Sequence, residues 1–75
     1  MDLEQLIEIR AGVRSGKPCF KGTRITVYDV LEYMAGGMSE AEWLQNFPVL
    51  TPDHLRAALA FAAARERRLA GLLAA

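Results

Sequence analysis

The sequence predicts a mainly α fold, a core of three helices carrying an N-terminal β arm or hairpin. Three observations lead there. Apolar residues from Val27 onward recur at helical spacing. Each apolar-periodic stretch opens on a hydroxyl residue, Thr26, Ser39 or Thr51, the residue type that caps helix N-termini. The stretch before residue 26 instead holds Pro18, Gly22 and β-type side chains, which a helix interior does not accept. With 75 residues there is room for one domain, divided into an arm over 1–25 and a helical core over 26–75.

The elements follow in order. Leu6 to Arg10 partly alternates and contains two isoleucines, so it is expected as a short strand. Gly12 and Ser15-Gly16 supply turn chemistry. Phe20, Ile25 and Val27 surround Gly22 in an extended ribbon expected to pair with residues 6–10. Val27, Val30, Leu31 and Met34 form one apolar stripe, which Gly36-Gly37 terminates. Ser39 with Glu42 three residues on reads as a capping box. Trp43, Leu44 and Phe47 give the inward face of that second helix, and Pro48 ends it. Thr51 caps the third helix, with Pro52 in its first position and Asp53 in its first turn. Leu55, Leu59, Ala62, Leu69 and Leu73 continue near an a/d rhythm. Trp43, Leu44, Phe47, Leu31, Met34, Leu55 and Leu59 are the expected core.

Composition excludes several classes. A hydrophobic fraction of 52% with 24% charged residues suits a folded chain rather than a disordered one. Cys19 is the only cysteine, so no internal disulfide exists to compensate for a small core, and association into a homodimer is the expected route to more buried surface. The N-terminus carries acids where a signal peptide has cations, and Arg65 to Arg68 interrupt the Ala-rich end, so no membrane span and a cytoplasmic location are expected. Net charge is zero, but charge is segregated: Lys17, Lys21 and Arg24 form a cationic cluster, Asp29, Glu32, Glu40 and Glu42 an acidic one. Two such surfaces suit two different partners.

The helix pair Ser39 to Phe47 and Pro52 onward, joined by Pro48-Val49-Leu50, has the outline of a helix-turn-helix. Its second helix would bring Thr51, Asp53, His54 and Arg56 nearest to DNA bases. Asp53 repels phosphate and only Arg56 attracts it, so a plain three-helix bundle with a solvated helix start remains open. Lys17, Lys21 and Arg24 are the stronger candidates for contact with the DNA backbone. Amides near Gly22 and the Thr23 hydroxyl would assist as donors. The competing reading makes the ribbon structural, with Arg24 pinning the arm to the core through Asp29 or Glu32. Catalysis is not expected: His54 is the only histidine, a nucleophile–base pair with Cys19 would need a third orienting group, and no metal-ligand or phosphate-loop spacing occurs. No cofactor is implied.

The run Gly16-Lys17-Pro18-Cys19-Phe20-Lys21-Gly22-Thr23-Arg24-Ile25-Thr26-Val27 resembles the signature of the small prokaryotic antitoxin-like proteins known as domain of unknown function 433. The resemblance continues in Gly37-Met38-Ser39, Pro48-Val49-Leu50-Thr51 and Leu55-Arg56-Ala57-Ala58-Leu59, over about residues 5 to 64. Where the family usually has Asp-Pro ahead of its first turn, this chain has Arg10-Ala11. The resemblance implies a homeodomain-like helical core with a β arm, often a dimer. It also implies an antitoxin that binds DNA and neutralises a toxin of PIN-like nuclease fold. Leu69, Leu72 and Leu73 are the candidate partner-binding residues. An interaction module that binds no DNA is the alternative.

Overall fold

The structure is a computed structural model that describes residues 3–74, with the side chains of Glu4, Leu73 and Ala74 outside the description. A 3-10 turn, Leu3–Leu6, leads into β1 (Ile7–Glu8), which pairs antiparallel with β2 (Cys19–Phe20). Ile7 lies opposite Phe20 and Glu8 opposite Cys19. The Lys21 amide donates to the Leu6 carbonyl at 2.9 Å, extending this pairing by one bond. The strand is shorter than the alternation suggests because Val13 N–H already turns back to the Arg10 carbonyl at 3.2 Å. A second 3-10 turn, Arg14–Gly16, then passes through left-handed backbone at Arg14 (φ 49°) and Ser15 (φ 59°).

Three helices follow: α1 (Val27–Ala35), α2 (Glu40–Asn46) and α3 (Pro52–Ala74). Thr26 Oγ1 accepts from the Asp29 amide at 2.9 Å while Asp29 Oδ2 accepts from the Thr26 amide at 3.3 Å, a reciprocal capping box. Ser39 and Glu42 repeat the arrangement at α2. Gly37, at φ 101°, ends α1: its amide donates to the Met34 carbonyl and that of Met38 to the Tyr33 carbonyl. This double closure requires a residue in left-handed conformation, hence glycine.

The core is built on Phe20, Val27, Val30, Trp43, Leu50, Leu55 and Ala58, all buried, with Leu31, Met34, Leu44 and Phe47 half-buried around them. The expected core therefore holds except at Leu59, which is 53% exposed. The reason is helical phase. The buried positions of α3 are Leu55, Ala57 and Ala58, followed by half-buried Phe61 and Ala62, so the stripe runs through alanines rather than through the leucines. Small side chains sit inward here because the arm and α1 press against the helix. Phe20 and Cys19, both fully buried, tie the arm into this core.

Candidate functional site

The segment Pro18 to Val27 closes into a narrow loop. Phe20 N–H donates to the Ile25 carbonyl and Val27 N–H to the Pro18 carbonyl, each at 3.0 Å. At its tip Thr23 N–H reaches the Phe20 carbonyl, a four-residue turn with Gly22 at φ 76° in third place. That position calls for positive φ, which glycine adopts without a steric penalty. The loop thus brings Lys17, Lys21 and Arg24 together on one short, hydrogen-bonded scaffold, all three exposed.

Ion pairs divide the arm's cations into two groups. Arg10 Nε lies 3.5 Å from Glu8 Oε2 and Arg14 Nη1 lies 3.1 Å from Asp29 Oδ2. Among the described residues, Lys17, Lys21 and Arg24 pair with no acid; Lys17 Nζ rests 5.9 Å from the centre of the Tyr28 ring, a contact that leaves its charge uncompensated. The residue that pins the arm to the core is Arg14, not Arg24. Its Nη1 donates both to the Arg24 carbonyl at 2.9 Å and to Asp29 Oδ2 at 3.1 Å. Partial burial pushes the Asp29 pKa up, but the hydrogen bonds from Thr26 and the Arg14 charge outweigh it and hold the carboxyl below its ordinary value. No short-range sequence pattern announces Arg14, since its role depends on a left-handed turn and a contact fifteen residues away.

The assisting donors are already occupied within the fold. Gly22 N–H donates to Glu8 Oε2 at 3.1 Å, and the Thr23 hydroxyl donates to the Phe20 carbonyl at 2.9 Å while accepting from the Ile25 amide. The start of α3 is similarly committed. The Thr51 amide donates to His54 Nδ1 at 3.0 Å, and the Thr51 hydroxyl meets the same nitrogen at 3.0 Å. Because a backbone N–H can only donate, Nδ1 is unprotonated and the neutral ring carries its hydrogen on Nε2. The His54 ring packs edge-on against Phe20, 5.2 Å between centres, and burial lowers its pKa against the opposing effect of Asp53. Of the expected base-reading set, Arg56 is the exposed cation, and it lies 3.7 Å from Asp53. Leu69 and Leu72 are exposed, at 53% and 72%; the Leu73 side chain lies outside the described residues.

Cys19 is buried with Sγ against the Lys17 carbonyl, and His54 does not hydrogen-bond to it. Among the described residues no three His, Cys, Asp or Glu side chains cluster as metal ligands, and no helix is long and apolar enough to cross a membrane.

The family profile described as protein of unknown function, DUF433, matches residues 7–62, which span the arm, α1, α2 and the first half of α3. The chain belongs to the DUF433 family. A crystal structure of a DUF433 member from Anabaena variabilis ATCC 29413 is similar throughout. It has 30% sequence identity and a TM-score of 0.80 over 97% of this chain and 72% of that one. No curated protein matches the sequence. Every residue of the cationic loop falls inside the DUF433 match, whereas Leu69 and Leu72 fall beyond it.

Proposed function

We propose that this DUF433 chain is a DNA-binding regulator of the antitoxin type, which contacts the DNA backbone through Lys17, Lys21 and Arg24 and neutralises a nuclease toxin of PIN-like fold. The observation that carries the DNA half of this reading is the sorting of the arm's cations. Arg10 and Arg14 face intrachain acids, while Lys17, Lys21 and Arg24 are exposed and, among the described residues, without an acid partner on a hydrogen-bonded loop. Fixed, uncompensated cations are what phosphate contact needs, because each phosphate that a protein cation neutralises releases counterions condensed on the DNA. The toxin half rests on the resemblance to antitoxin-like proteins.

A second reading, an interaction module that binds no DNA, is favoured by the start of α3. Thr51 and His54 are joined in a helix cap and Arg56 sits beside Asp53, which leaves little there to read bases. Fluorescence anisotropy with duplex DNA from upstream of the gene, over a salt series, separates the two. Three phosphate contacts predict that log affinity falls against log salt with a slope of about −2.7. Changing any one of the three cations to Ala should reduce the slope by about 1 for all sequences alike. Absence of binding at low salt selects the second reading.

A further inference from the structure

We propose that the groove between α1 and α3 takes an unpaired base of single-stranded DNA, which stacks on Tyr28 while the strand's phosphates run along Lys17, Lys21 and Arg24. This assignment rests on the proposed DNA binding and adds the form of DNA that the site accommodates. Tyr28, the second residue of α1, is 61% exposed. The other tyrosine of that helix, Tyr33, packs against Phe47 with ring centres 5.6 Å apart. Tyr28 has no such aromatic neighbour among the described residues. Its ring lies instead beside the cationic loop, with Lys17 Nζ 5.9 Å from the ring centre. An aromatic face and a cation without an acid partner therefore adjoin.

Single exposed aromatic side chains are ordinary; this one also walls a cavity. A groove of about 480 Å³ has Tyr28 and Leu31 of α1 on one side and Ala62 and Leu69 of α3 on the other, with Pro18 and Phe61 completing the lining. That volume falls within the roughly 300–1,000 Å³ of small-ligand sites. The lining is mostly apolar, as the faces of a base require. Pro18 follows Lys17 directly, so the groove opens where the cationic loop begins. Two acids stand nearby. Glu66 lines the groove next to Arg65, which opposes its charge, and Glu32 lies one turn further along α1. The three loop cations therefore set the sign of the charge at the end of the groove where phosphates would pass.

The occupant is an unpaired base because of what the chain offers and what it withholds. Direct reading of a duplex requires side-chain donors and acceptors that reach base edges. At the start of α3 those groups are engaged within the chain, Thr51 with His54 and Arg56 beside Asp53. Single strands are held differently, by cations that follow the backbone and aromatic faces on which bases stack, with no recognition of base edges. Both of these elements are present here, side by side. In a duplex each base is covered by its neighbours in the stack, and exposing its face costs unstacking energy. The Tyr28 ring therefore contributes only where the strands are apart.

Fluorescence anisotropy with a labelled mixed-sequence single strand, and with the duplex of the same sequence at the same salt, tests this on the parent chain, Tyr28→Leu and Tyr28→Phe. Leucine keeps an apolar groove wall and removes the ring face; phenylalanine keeps the face and removes the hydroxyl. Tyr28 is exposed, so both variants leave the core intact, and a melting curve checks that each is folded. Tyr28→Leu should weaken single-strand binding about five-fold or more, the effect of losing one stacked base, and leave duplex affinity unchanged. Tyr28→Phe should bind both forms as the parent does. Three phosphate contacts predict a salt slope of about −2.1 on the single strand, the same for the parent and Tyr28→Leu, since no phosphate contact is lost. Equal loss on strand and duplex with a shallower slope means that the ring only positions Lys17, and overturns the proposal. So does a Tyr28→Phe variant that falls as far as Tyr28→Leu, or displacement of the strand by an equal concentration of a free nucleoside monophosphate. A parent chain that binds the duplex alone, or a Tyr28→Leu variant that binds the strand as the parent does, overturns it too, while duplex binding leaves the broader DNA reading standing. Failure to bind either form at low salt removes both together.

Discussion

Arg14 combines two features that rarely coincide in one residue. Its backbone is left-handed, which costs a non-glycine residue about 1–2 kcal/mol. Its guanidinium bridges the Arg24 carbonyl and Asp29, which offsets that cost. Arg14→Ala keeps the backbone cost and loses the bridge, and should lower stability by about 1–2 kcal/mol, the upper end being reduced by partial exposure. Arg14→Gly loses the bridge but relieves the backbone, so chemical denaturation should find it more stable than the alanine variant, the reverse of the usual order. Trp43 gives a second test at this scale. It is fully buried, and its Nε1 has no hydrogen-bond partner among the described residues. Trp43→Ala should cost about 3–5 kcal/mol through the cavity it leaves. Trp43→Phe removes the unsatisfied donor as well as some area, and should cost much less. Legibility at this scale was uneven. Thr26, Ser39 and Trp43 announce their roles by local spacing. Arg14, Ala57 and Ala58 do not, because a left-handed turn and a close approach of the arm to α3 are tertiary facts.

The helices are delimited largely by caps, and the third cap is unlike the other two. At α1 and α2 a carboxylate at the third position closes the box; at α3 the imidazole of His54 accepts from the Thr51 amide, but the Thr51 hydroxyl meets that same nitrogen instead of a helix amide, so only half of the box forms. Protonating Nδ1 removes the acceptor. The folded chain therefore favours neutral His54, and burial lowers its pKa below the ordinary 6.5 even though Asp53 pulls the other way. A lowered folded value means that the unfolded chain binds the proton more readily. The stabilisation is complete above about pH 6.5 and declines as pH falls through the folded value. Between about pH 7.5 and 5, denaturation midpoints should fall, by up to about 1 kcal/mol if the whole cap is lost. His54→Gln offers an acceptor that does not titrate, so it should flatten this dependence while losing the ring's contact with Phe20. The Asp29 carboxyl is also lowered, but its contribution persists until pH falls below about 3.8, so the two windows are distinct. The sequence located the caps of α1 and α2; at α3 the Thr51 hydroxyl meets His54 Nδ1 rather than a helix amide. The sequence could not show that His54 turns inward to Phe20 rather than outward, since both orientations suit a first-turn histidine.

The whole molecule is a short arm, a tight core and a helix longer than the core needs. Its principal extents, 42 × 29 × 25 Å, reflect that third part. The arrangement of arm and helices was legible because turn residues, caps and apolar spacing agreed with one another. The course of the buried stripe along α3 was not. Leucines draw the eye in a sequence, yet here alanines occupy the closest contacts and Leu59 remains outside.

The bridge from Arg14 to Asp29 also bears on how the arm opens. The arm is held to the start of α1 by the Val27 amide on Pro18, the isolated pairing of Cys19 with Thr26, and the guanidinium that spans both segments. Peeling the arm away breaks all three together and exposes Phe20 from the centre of the core. The amides of Phe20, Lys21 and Val27 should therefore exchange with deuterated solvent no faster than those in the middle of α1, as one cooperative unit. In Arg14→Ala the arm amides should exchange faster while those of α1 do not, which would turn a single unit into two.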